Sequence, residues 1–261
     1  MASGKFIVGA CECAPELVAP SREWDALCRE VSREAPDVFL LNEMPFGAWI
    51  ASQPVFSESV WNKSCQTHAT GLARLAELGP SVIGGSRPAL LGGKRVNQGF
   101  VWTGKEGLTG CHTKQFFPDE EGYYEARWFQ AGPREFHVTA AGALRVGFLI
   151  CTELMFNERA RHYGRMGADV ILVPRAVGKE SLPRWLVAAR MAAIVSGCYV
   201  VSSNRVGTDS SGQTFGGSGW IINPFGDVVA ETSTQTPVVF HEIDTELVRR
   251  AQVAYPCYVK E

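Results

Sequence analysis

The chain has 261 residues, 46% of them hydrophobic and 20% charged, with a formal net charge of −2. Enough apolar side chain is present to bury a sizeable core, which excludes a disordered chain. No basic surplus exists to neutralise a phosphate backbone, so nucleic acid is not the expected partner.

Short apolar runs alternate with helical spacing along the chain. Phe6 to Cys13 reads as a strand. Ser21 then stands before Trp24, Leu27, Cys28, Val31 and Ala35, a capped amphipathic helix. DVFLLN (37–42) is a compact buried strand, and residues 57–78 look helical up to Gly79-Pro80. SVIGG (81–85) is another strand, and Val96 to Trp102 with Leu108 to His112 predicts a hairpin. Residues 115–133 form a loop rich in acids and aromatics.

The second half repeats the style. LRVGFLI (144–150) predicts a strand; Phe156, Ala160, Tyr163 and Met166 then mark a helix face. Asp169 to Val173 is a strand, and Ser181 and Pro183 open a helix that Gly197 caps. Cys198 to Ser203, 218–223, 226–231 and 237–243 predict further strands. Many strands with interspersed helices imply an α/β fold, read as one domain over 1–261.

The first residues carry one Lys and only a short apolar run, so no secretory signal is expected. The most apolar long stretch, Trp185 to Val201, has Arg190 at its middle, which argues against a membrane span. Eight cysteines without CxxC spacing predict reduced thiols in a cytoplasmic protein, with no metal.

Three places share one local design: an apolar strand ends at a reactive side chain. They are Glu43 after DVFLLN, Lys114 after GCHT and Cys151 after LRVGFLI. Ligand sites in open α/β sheets lie at the carboxyl ends of strands. A thiol at a strand-to-helix turn meets backbone N–H groups that favour thiolate. A thiol nucleophile needs a base; Glu43 or His112 could supply it, and Lys114 could face a developing oxyanion. Taken singly, each could equally be an inert core cysteine or a solvated charge.

Together these segments resemble the nitrilase, or carbon–nitrogen hydrolase, superfamily, which is marked by a Glu, a Lys and a Cys in this order. LLNEMPF, HTKQFFP and RVGFLICTELMFNERAR carry the resemblance. GADVILVPRA, AARMAAIVSGCYVVSSNRVG and TFGGSGWIINPFGDVVAE extend it over residues 5 to about 255. GYYEARWFQAG is similar to the branch containing N-carbamoylputrescine amidases and implies a second glutamate at Glu125, with Glu120 and Glu121 as competitors.

The resemblance implies a four-layer α-β-β-α sandwich. It implies that Cys151 attacks the carbonyl of a small linear amide, with Glu43 as base. Lys114 and the Thr152 N–H would hold the oxyanion, Glu125 would orient Lys114, and Glu153 would orient the turn. No metal or organic cofactor is needed. Nitrile or N-carbamoyl cleavage is the rival within the family; a non-catalytic binding protein is the rival outside it. Arg175, in VPRAVG, could clamp a substrate carboxylate. Pairing through helices near 156–166 and 181–196, as a homodimer or higher homo-oligomer, is also implied.

Overall fold

A computed structural model describes residues 4–260, so the outermost ends of the 1–261 domain reading lie outside the described residues. The first half contains β1 (Lys5–Cys13), α1 (Arg22–Glu34), β2 (Val38–Leu40), α2 (Glu58–Leu72), β3 (Val82–Leu91), β4 (Lys94–Thr103) and β5 (Gly107–Thr113). A short α3 (Glu125–Trp128), β6 (Thr139–Ala141), β7 (Leu144–Phe148), α4 (Asn157–Arg165) and β8 (Val170–Pro174) follow. The rest comprises α5 (Leu182–Ser196), β9 (Tyr199–Thr208), β10 (Thr214–Gly216), β11 (Trp220–Ile222), β12 (Val228–Glu231), β13 (Val238–Asp244) and α6 (Thr245–Gln252).

Local chemistry explains the helix limits. Ser21 accepts from the Trp24 N–H at 3.1 Å, a cap worth roughly 0.5–2 kcal/mol. Trp24, Leu27 and Val31, spaced three and four apart, are the buried face of α1. Pro183 stands in the first turn of α5, and Gly197 ends it at φ 65°, which costs glycine nothing.

The strands form one continuous hydrogen-bonded path in the order β5-β4-β3-β2-β1-β9-β8-β7-β6, with β13 beside β1 and β11 beside β9. The ladder between β1 and β9 consists of Glu12–Asn204 and Cys13–Arg205, so the path folds there into two facing sheets. Val8, Ala10, Val38 and Leu40 of one sheet pack against Val146, Phe148, Val170 and Leu172 of the other. On the outer faces, α1 closes over Phe39 and Ile83, while α4 and α5 close over Ile171, Val173 and Val200. The four layers expected by resemblance are therefore present.

This arrangement also fixes direction. β2 is parallel to β1 and β3, two antiparallel steps bring β5 back to that direction, and β7, β8 and β9 are parallel to one another and to β1. The carboxyl ends of β2, β5, β7 and β8 thus open on the same edge. The structure adds what spacing did not show: β3 and β4 form one long hairpin, α3 lies in the segment read as loop, and β6, β10 and α6 exist. No helix among the described residues is long and apolar enough to cross a membrane.

Candidate active site

Glu43 follows β2 and is fully buried. Its turn is held from behind by Arg205 of β9. That guanidinium donates from Nε to the Glu43 carbonyl (3.2 Å), from Nη1 to the carbonyls of Gly47 (3.0 Å) and Pro15, and from Nη2 to that of Met44. Met44 sits at φ 42°, a left-handed backbone that costs a non-glycine residue roughly 1–2 kcal/mol. The arginine clamp offsets that strain and points the Glu43 carboxylate inward.

Lys114 leaves β5 and is also fully buried. Its Nζ lies 2.8 Å from Glu43 Oε1 and 2.9 and 2.6 Å from the two oxygens of Glu125, the first residue of α3. The Asn97 side chain of β4 donates to Glu43 Oε1 at 2.8 Å. One ammonium therefore bridges two carboxyl groups that are fully buried. Burial pulls the Lys114 pKa down, but the carboxylates of Glu125 and Glu43 and the sulfur of Cys151 outweigh it and hold the amine protonated. Burial pushes Glu125 up to about 8, against the pull of Lys114 and with help from Glu43. A proton on Glu125 brings the trio to zero net charge, which is why burial tolerates it.

Cys151 opens a short 3-10 turn, Cys151–Met155, directly after β7. It is 4% exposed and its φ is 51°. Such strain persists only where the surroundings over-determine it. Glu153 does that here: its carboxylate accepts from the N–H of Ile150 (2.8 Å) and of Gln115 (2.7 Å) and from His112 Nε2 (2.8 Å). It ties the nucleophile turn to the lysine strand and is fully buried. His112 thereby commits one ring nitrogen to Glu153 and packs against Phe136. Burial and the Glu43 charge push the Cys151 thiol well above its usual value, while Lys114 and the Ala176 N–H pull it down. The resting thiol is neutral, so attack needs a base in step with it.

A cavity of about 330 Å³ opens at this edge. Its lining includes Glu125, Cys151 and Thr152, with Tyr123, Ala176, Val177 and Trp185 alongside. The structure thus brings together Glu43, Lys114, Glu125, Cys151 and Thr152. It corrects Arg175. That side chain does not line the cavity but turns onto the helix side of its sheet. There it stacks 4.0 Å over Trp220, donates from Nε to Ser202 Oγ at 2.6 Å and from Nη2 to the Ser218 carbonyl, and is fully buried. The alternation along β8 explains this: Ile171 and Val173, two and four residues earlier, face the same helices. Burial lowers the Arg175 pKa to about 9, opposed by the sulfur of Cys151.

Asn97 and Arg184 were missed from sequence. Asn97 had no signal beyond lying in a strand. Arg184 follows Pro183 in a helix start, and only the packing shows that it lines the cavity.

The chain is similar to known proteins over most of its length. The family model described as carbon-nitrogen hydrolase matches residues 14–253. An N-carbamoylputrescine amidase of Arabidopsis thaliana is 28% identical over 155 residues, 54% of this chain and 52% of that protein. An omega-amidase of Bos taurus is 25% identical over 242 residues, covering 89% of this chain and 85% of the relative. The match to the plant relative thus spans about half of that protein's length. The crystal structure of a carbon-nitrogen hydrolase from Helicobacter pylori G27 superposes with a TM-score of 0.84 at 21% identity, over 98% of this chain and 94% of that one. That likeness concerns the fold.

Proposed function

This chain belongs to the carbon–nitrogen hydrolase family, and from that premise we propose that it hydrolyses a small linear amide to a carboxylic acid and ammonia through a thioester on Cys151. The observation that carries the reading is the buried Glu43–Lys114–Glu125 trio beside a strained cysteine at a cavity. The named activities of the amidase relatives support it.

Glu43 takes the thiol proton as Cys151 attacks the carbonyl carbon. The negative charge that develops on oxygen is met by the buried Lys114 and by the Thr152 N–H at the cavity wall. Glu43 returns the proton to the departing nitrogen, and ammonia leaves. Water, deprotonated by Glu43, then attacks the thioester and releases the acid and the thiol. Glu125 holds Lys114 in place, and Asn97 holds Glu43. The residues ask for no metal or organic cofactor in this scheme.

We read the protein as cytoplasmic and as a homodimer or higher homo-oligomer. Met155, Phe156, Val187 and Met191, all exposed and all on or beside α4 and α5, support pairing through that face. Ammonia release from matched amides, nitriles and N-carbamoyl compounds tests the activity. Greatest turnover on nitriles or N-carbamoyl compounds would replace the amide reading. Ligand binding without turnover would favour a binding protein.

A further inference from the structure

The cavity has a floor and a mouth of different chemistry. Its floor is buried and holds the reacting groups: Glu125 and Cys151. Its exposed lining residues include Glu120, from the loop before α3, and Arg184, in the first turn of α5. Among the described residues, Arg184 is the one cationic side chain in the lining. Among the described residues it has no side-chain hydrogen bond or ion pair. Arginines at a protein surface commonly find a carboxylate; this one lines the cavity and, among the described residues, has none.

Resting on the amidase reading above, we infer that Arg184 determines specificity by pairing with a carboxylate at the far end of the amide substrate. A cavity of about 330 Å³ is roughly ten times the ~30 Å³ share of one water. It has room for several atoms beyond the scissile carbonyl. A planar guanidinium pairs with a carboxylate through two parallel hydrogen bonds, and would so fix the end that the catalytic groups do not hold. Glu120, also in the lining, disfavours a second negative charge. The substrate class is an ω-amide carrying one carboxylate, which is the anion-reading role the sequence placed on Arg175.

The test compares three amides of equal length: glutaramate, pentanamide and 5-aminopentanamide. The wild type should prefer glutaramate. Arg184→Gln should lower the glutaramate-to-pentanamide ratio of kcat/KM about 10- to 100-fold, the range of a charge-assisted pair, mainly through KM for glutaramate. Arg184→Glu should turn the preference toward 5-aminopentanamide. A ratio unmoved by both variants, or a wild type with no preference for glutaramate, overturns the assignment while leaving the amidase reading intact. No turnover of any of the three, with measurable turnover of nitriles, would instead remove the amidase reading on which it rests, and the assignment with it.

Discussion

Replacing Lys114 by Met keeps the volume of the side chain and removes its charge. Glu43 then lies fully buried with only the Asn97 donor, and Glu125 loses both of the hydrogen bonds that Lys114 makes to it. Removing one partner of a buried ion pair costs about 3–5 kcal/mol. With an unfolding entropy of about 2.1 cal/mol/K per residue, 261 residues amount to about 0.55 kcal/mol/K. The melting temperature at pH 7 should therefore fall by about 5–9 °C. The orphaned carboxylates take up protons more easily folded than unfolded, so their cost grows as pH rises and shrinks as it falls. The deficit should thus narrow at pH 5. Thermal unfolding followed by far-UV circular dichroism at both pH values measures this. A drop under about 2 °C at pH 7, or a deficit that widens on acidification, would refute a charged, desolvated Lys114 between Glu43 and Glu125. The same variant should lose about 10²–10³ in kcat, the usual effect of deleting an oxyanion donor.

Cys151→Ala should abolish ammonia release while leaving the circular dichroism spectrum unchanged; residual turnover above one part in a thousand would point to another nucleophile. Glu43→Gln should lower kcat about 10²–10⁴-fold, whereas His112→Ala should act mainly on stability, since His112 spends its Nε2 on Glu153; the reverse ranking would make His112 the base. Unfolded Glu125 gives up its proton near 4.5, whereas the folded site holds it to about 8. In that window the folded state binds the extra proton, so wild-type stability relative to Glu125→Gln should fall as pH rises and level off above about 8. A melting-temperature difference that grows with pH would contradict a protonated Glu125. Asn97→Leu should lower kcat for every amide about equally; a loss confined to carboxylate-bearing amides would place Asn97 in substrate recognition instead.

Much of the architecture was legible because it follows from periodicity. Trp24, Leu27 and Val31 announce the buried face of α1, and the apolar runs ending at Glu43, Lys114 and Cys151 announce strands whose carboxyl ends carry reactive groups. Resemblance supplied the order of the three groups and pointed to Glu125. Spacing could not show α3 inside residues 115–133, because a single helical turn has no period to detect, nor the β3–β4 hairpin, whose Gly92-Gly93 turn lay next to a run read as a short strand.

The amino-acid sequence by itself determined which segments bury one face and which reactive side chains stand at their ends, since hydrophobic period and turn chemistry act over a few residues. Only the tertiary structure decided what those side chains meet. Asn97 reaches Glu43 across 54 positions and Arg205 reaches the same turn across 162. Arg175, at a strand end like the others, falls on the helix side of its sheet, while the exposed Arg184 faces the cavity. Electrostatic partners are set by distance in space, and local sequence carries no record of that distance.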